Sequence, residues 1–188
     1  MDFEFTEEQK MIKDAARRFM EKEIIPIADE WDRKYAPLPK ELAHQLLKKL
    51  VPLGYISSYI PVEQGGEGTG QVAWGILYEE LSRAWAALAN LAQSDANCAY
   101  RIAYTGSDDQ RKRFLPGLLS GDKIGCGAVT EPNVGSDASG VETKAVWQTL
   151  RGGHWMATVA KAFFLCRQPN SFLLGRSQLS QGSTGMRT

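Results

Sequence analysis

The 188-residue sequence is poor in the side chains that most often mark chemistry. It holds two histidines, His44 and His154, and three cysteines, Cys98, Cys126 and Cys166. A hydrolytic triad or a zinc site needs a set of such groups converging, and the pattern offers neither histidine a third partner. The cysteines are far apart, odd in number and without a CxxC pair, so incidental reduced thiols are expected, not a disulfide frame or a metal site. Net charge is lacking too: 22 Lys+Arg stand against 22 Asp+Glu. Without a basic stripe to follow a phosphate backbone, no nucleic-acid partner is expected. No apolar run approaches the roughly 20 residues of a membrane span. The opening Met1-Asp2-Phe3-Glu4 carries no charged-then-apolar export signal. A cytoplasmic chain without a membrane span is the expectation.

What the sequence does hold is a core. Apolar residues make up 43% and charged residues 23%, ordinary proportions for a globular chain. Thr6-Glu7-Glu8-Gln9 fits a capping box, and behind it Ala16, Met20, Ile24 and Ile27 recur at helical spacing. Pro26 is expected to kink or end that helix. A second helix should start at Pro39, bury Leu42, Leu46, Leu47 and Leu50, and stop near Pro52-Leu53-Gly54. Residues 61–70, PVEQGGEGTG, resemble a phosphate loop, but no GKS or GKT follows and no strand precedes, so a turn is favoured. From Val72 to Tyr104 an alanine-rich apolar stretch reads as one or two buried helices. Ser107-Asp108-Asp109-Gln110 is a second capping box. It opens a helix with Phe114, Leu115, Leu118 and Leu119 inward, and Gly121 should close that helix in the left-handed conformation.

After Gly121 the texture changes. Lys123–Thr130 and Val141–Leu150 read as strands, with Glu131–Gly140 as the loop between them. The fold class expected is therefore α+β: an N-terminal all-α helical bundle over 1–121, then the beginning of a β-barrel-like middle domain over 122–167. Residues 168–188 form a biased tail, expected to be poorly ordered. The loop Thr130-Glu131-Pro132-Asn133-Val134-Gly135-Ser136-Asp137 could hold a bulky ligand through a close-approaching Gly-Ser backbone. An ordinary Asx or Ser turn accounts for it equally well.

The order of these pieces resembles the acyl-CoA dehydrogenase family over about residues 3 to 146. PVEQGG, the Ala-rich helix, SDDQRKRFLP and AVTEPNVGSDASG follow one another at the family's spacing. TEPxxGSD is its signature, and the TEPN wording leans toward glutaryl-type members. One departure is Val134, at a position where the family carries a smaller residue. The resemblance implies FAD as cofactor, with Gly127, Ala128, Val129 and Thr130 meeting the flavin ring and Gly135 and Ser136 meeting its diphosphate. Ser136 would also lie near the acyl-CoA substrate, and helix residues between Gln93 and Tyr104 would line the acyl pocket. Glu131 and Asp137 are read as carboxylates that fix the loop. The family's base is a Glu from a C-terminal helical domain, its electron acceptor an electron-transferring flavoprotein, and its assembly a homo-oligomer, dimer or tetramer. By this resemblance the chain is a fragment without its own catalytic residues. The competing expectation is a helical interaction fragment with no flavin.

Past Trp147 the family's Asn-Gly turn is missing, although His154, Trp155 and Lys161 fall where similar residues are expected. A frameshift or gene-model error beginning near residues 147–160 is the expectation; reading the coding DNA in three frames tests it. Given FAD, a dye acceptor and a panel of acyl-CoAs, the 188-residue chain alone is expected to show no turnover. Dye reduction above background would overturn this.

Overall fold

The computed structural model describes residues 4–34, 37–127, 130–148 and 154–158; for 144–148 and 154–158 it describes the backbone alone. The chain divides into two units, Met1–Gly125 and Cys126–Thr188.

The first unit is helical. Helix α1 spans Glu7–Phe19 and begins as the capping box requires: Thr6 Oγ1 accepts from the Gln9 amide at 3.2 Å, and Gln9 Oε1 accepts from the Thr6 amide at 3.0 Å. The helix does not end ahead of Pro26. A π-helical turn, Met20–Ile24, leads directly into α2, Ile25–Lys34, and Pro26 is the second residue of α2. The Ile25 amide donates to Met20 O, one residue further back than in an α-helix. Proline lacks an N–H and crowds the carbonyl four residues before it, so the wider turn lets the chain continue through it. It also keeps the core stripe in line. Ala16, Met20, Ile24 and Ala28 are all buried, and steps of four residues overshoot a 3.6-residue turn by about 40° each.

Helix α3, Lys40–Leu50, buries Leu46, Leu47 and Leu50, with Leu42 half-buried. It runs into a 3-10 turn, Val51–Leu53, which Gly54 closes at φ 81°. The segment after it is a set of turns whose backbone groups are mutually satisfied. Gly66 N–H donates to Pro61 O, Glu67 N–H to Ser57 O, Gly68 N–H to Ile60 O and Gly70 N–H to Ser58 O. Those amides are therefore not available to a phosphate, as the turn reading expects. Gly66 is required here, because a Cβ would collide with Ile60 O.

The alanine-rich stretch is two helices, α4 at Gly70–Ala84 and α5 at Ala86–Thr105, broken at Trp85 in extended conformation. The indole N–H of Trp85 donates to Asp32 Oδ1 at 3.0 Å, tying the break to α2. Neither helix is buried all round: Val72 and Tyr104 are exposed. Helix α6, Asp108–Leu119, opens with the second capping box and ends at Gly121, φ 70°. Leu115 and Leu118 are buried, whereas Phe114 and Leu119 are only partly so.

Helices α1 and α4 are joined by a carboxylate. Glu80 is 1% exposed; it accepts from Arg17 Nε at 3.1 Å and Nη2 at 2.8 Å, and from Arg83 Nε at 3.1 Å. The bonds from Arg17, then those from Arg83, hold its carboxyl below the ordinary range against the opposing effect of burial.

Among the described residues the expected first strand, Lys123–Thr130, is not formed. Ile124–Gly127 and Thr130 have no ladder partner, and Ala128 and Val129 lie outside the described residues. A strand exists by virtue of its neighbour, and here the Gly125 amide goes instead to a side chain of α5. The second expected strand is present in shortened form. Strands β1, Lys144–Gln148, and β2, His154–Thr158, make an antiparallel hairpin with Lys144 opposite Thr158 and Trp147 opposite Trp155. Among the described residues the sheet consists of this hairpin, and a barrel is not shown. The turn between the strands and the tail expectation for 168–188 lie outside the described residues. No described helix is long and apolar enough to cross a membrane.

The Glu80 cluster makes a definite pH prediction. A carboxyl held low when folded contributes stability above its unfolded value of about 4.3 and loses it as pH falls through the folded value. Glu80→Gln should therefore lower stability by roughly 1–2 kcal/mol at pH 7, with the gap to wild type closing below pH 4. Urea melts at the two pH values measure this, and a gap independent of pH would refute it.

Candidate functional site

The loop of the second unit is closed at its base by Glu131. Pro132 and Asn133 form a tight turn, with Glu131 N–H donating to Val134 O at 3.0 Å and Val134 N–H to Glu131 O at 3.1 Å. The Glu131 side chain, 5% exposed, reaches across to the start of the hairpin. It accepts from the Glu142 amide at 2.7 Å, the Thr143 amide at 3.1 Å and the Thr143 hydroxyl. A carboxylate with three donors is a strong clasp, and it brings residues 131 and 143 together around the intervening segment. A second carboxylate shapes the far side. Asp137 accepts from the Ser139 amide at 3.1 Å and from its hydroxyl, opening the 3-10 turn Ala138–Gly140. The Ser139 hydroxyl chiefly, and then its amide, holds the Asp137 carboxyl below the usual range.

Between the two carboxylates stands the Gly-Ser pair. Gly135 and Ser136 are exposed, as are Gly127 and Thr130. Val134 is 7% exposed and turned into its own loop, beside Gly140. Gly135 is not in the left-handed region, and a Cβ added to it would meet nothing within 4 Å. Among the described residues nothing requires glycine at this position.

In the first unit, the alanines of α5 serve packing: Ala92, Ala96, Ala99 and Ala103 are at most 1% exposed. The residues of this stretch left facing outward are Gln93, Asn97, Arg101 and Tyr104. The same helix carries a residue that the sequence reading passed over. Asp95 is 0% exposed; its Oδ1 accepts from the Gly125 amide at 2.6 Å, and its Oδ2 has no hydrogen-bond partner. Burial pushes this carboxyl up to about 7, against the opposing effect of the Gly125 amide. Helical periodicity carries the signal, since Asp95 falls on the same face as Leu88, Ala92, Ala99 and Ile102. His44 is half-buried on α3. Among the described residues Cys98 and Cys126 form no disulfide, and no cluster of metal-binding side chains occurs.

Comparison with known proteins places this arrangement. Residues 6–122 match the family model described as acyl-CoA dehydrogenase, N-terminal domain, and the chain belongs to that family. A glutaryl-CoA dehydrogenase of Desulfococcus multivorans is 34% identical over 166 residues, which cover 87% of this chain and 41% of that protein. A 3-(aryl)acrylate reductase of Clostridium sporogenes is 34% identical over 188 residues, covering 98% of this chain and 48% of that one. The crystal structure of a glutaryl-CoA dehydrogenase from Mycobacterium smegmatis in complex with FADH2 superimposes with a TM-score of 0.67 at 27% identity, over 75% of this chain and 35% of its own. The chain thus spans less than half the length of these proteins.

Proposed function

We propose that this chain supplies the flavin-contacting loop and part of the acyl-binding helices of a FAD-dependent acyl-CoA dehydrogenase. The observation that carries the reading is Gly135. An exposed glycine with an ordinary backbone conformation and empty space around it lets a group from outside the chain come close to the backbone. The loop around it fits a flavin diphosphate. It presents the Gly135 and Ser136 amides and the Ser136 hydroxyl, while the nearest carboxylate, Asp137, is engaged with Ser139. Family membership and the FADH2 of the Mycobacterium smegmatis relative support the same reading.

In this mechanism Gly127 and Thr130, with Ala128 and Val129 outside the described residues, hold the ring edge through backbone groups. Gly135 and Ser136 hold the diphosphate, and the Ser136 hydroxyl also orients the acyl-CoA. Glu131 and Asp137 keep the loop open and positioned, and they move no proton. When bound, the flavin supplies the acceptor for the hydride leaving the substrate's β carbon. Removal of the α proton falls to a Glu of a C-terminal helical domain. The wider reading includes a homo-oligomer, with an electron-transferring flavoprotein as acceptor, in the cytoplasm. The middle β domain continues from the hairpin, and the outward face of α5, from Gln93 to Tyr104, lines the acyl pocket.

Titrating the chain with FAD and following flavin fluorescence tests the assignment. Saturable quenching is expected. Gly135→Val should weaken it roughly tenfold, about 1.4 kcal/mol, with the melting temperature unchanged because a Cβ there meets nothing within 4 Å. No uptake by the wild type, or equal uptake by the variant, would defeat it.

A further inference from the structure

An aspartate on the alanine face of a buried helix is costly, since burial opposes its ionised form. Asparagine could accept the same bond without that cost, and leucine would pack better. Yet Asp95 is wholly buried at the centre of α5, with one oxygen bonded to the Gly125 amide at 2.6 Å. The partner side of the contact is equally specific. A Cβ at Gly125 would collide with Cβ of Cys98, and it would come within 2.9 Å of Cys98 Sγ and 3.2 Å of Asp95 Oδ1. Only glycine lets the chain approach α5 closely enough for its N–H to reach the carboxyl.

This lock does nothing for the helices themselves. Helix α5 ends at Thr105 and α6 at Leu119, each with its own terminal bonds. The lock acts on the connecting segment, where Lys123 N–H also donates to Gly117 O at 2.8 Å and no described residue from Asp122 to Gly127 pairs in a strand. Gly125 is the residue immediately before Cys126, where the second unit starts. Two residues beyond it lies Gly127, the first of the proposed flavin contacts.

We propose that Asp95 is a positioning residue for the signature segment: it seats Gly125 on α5 and so fixes the point from which residues 126–136 set out. Its consequence for cofactor binding rests on the flavin reading above; the anchor itself does not. Groups facing the carboxyl are the Gly125 amide, the Cys98 thiol one turn along α5, and the Tyr78 phenol from α4.

Hydrogen exchange of the full chain, read on peptides covering 122–128, separates the anchor from general packing, and FAD titration reads its consequence. Asp95→Leu removes the acceptor, and Gly125→Ala displaces the chain with Asp95 intact. Each should speed exchange in that segment at least tenfold, leave α1–α4 as slow as in wild type, and weaken FAD uptake at least fivefold. Asp95→Asn, which keeps an acceptor oxygen, should restore both. Unchanged exchange in Asp95→Leu and Gly125→Ala overturns the proposal. So does acceleration spread evenly over all helices, Asp95→Asn behaving like Asp95→Leu, or local loosening with undiminished FAD uptake. If the wild type takes up no FAD, the flavin reading alone fails, and the exchange arm still decides whether Asp95 is the anchor.

Discussion

Close packing against the alanine face of α5 is the constraint on which the first unit rests. Ala92, Ala96, Ala99 and Ala103 add almost no bulk to the inward side of the helix, so neighbouring backbones can come near it, and all four are essentially excluded from solvent. Larger side chains complete the same core: Leu46, Leu47 and Leu50 from α3, Leu77 and Leu81 from α4, and Leu115 and Leu118 from α6. The same close approach admits Gly125, and with it the one carboxylate on that face. What makes α5 a good centre for a bundle also makes it able to hold a passing chain.

Polar groups inside the unit are handled in two ways. Glu80 is surrounded by guanidinium donors from α1 and α4, and each of its oxygens is used. Arg17 keeps partial contact with solvent, which lowers the desolvation cost that an entirely buried pair would carry. Among the described residues Asp95 has no cation beside it, and one of its oxygens has no partner. The first arrangement stabilises; the second is tolerated. A structure that keeps the second has a use for it beyond stability, and the attachment of Gly125 is the use that the geometry offers.

The signature loop shows a similar division of labour. Its two carboxylates are turned onto the loop itself, Glu131 at the base and Asp137 at the far side. Its glycine and serine are left outward. A residue type associated with acid–base chemistry is thus architectural here, and Gly135 is a position where no described neighbour requires glycine. Val134 is buried within the same loop.

Features that depend on neighbours in the chain are legible in the residue types alone. Both capping boxes, the left-handed glycine at 121 and the turn character of residues 61–70 are of this kind. Their hydrogen bonds close within a short stretch of chain. The helix through Pro26 was not legible, because the outcome depended on whether a wider turn could keep Met20 and Ile24 in a core that the sequence does not show. Nor was the fate of Lys123–Thr130, whose short apolar, glycine-spaced run reads as a strand but whose amide at Gly125 found a carboxyl 30 residues away. Asp95 and Glu131 acquire their roles from donors brought to them by folding. Only tertiary structure could decide these, since the energy of a long-range hydrogen bond depends on distance in space, to which sequence separation is no guide.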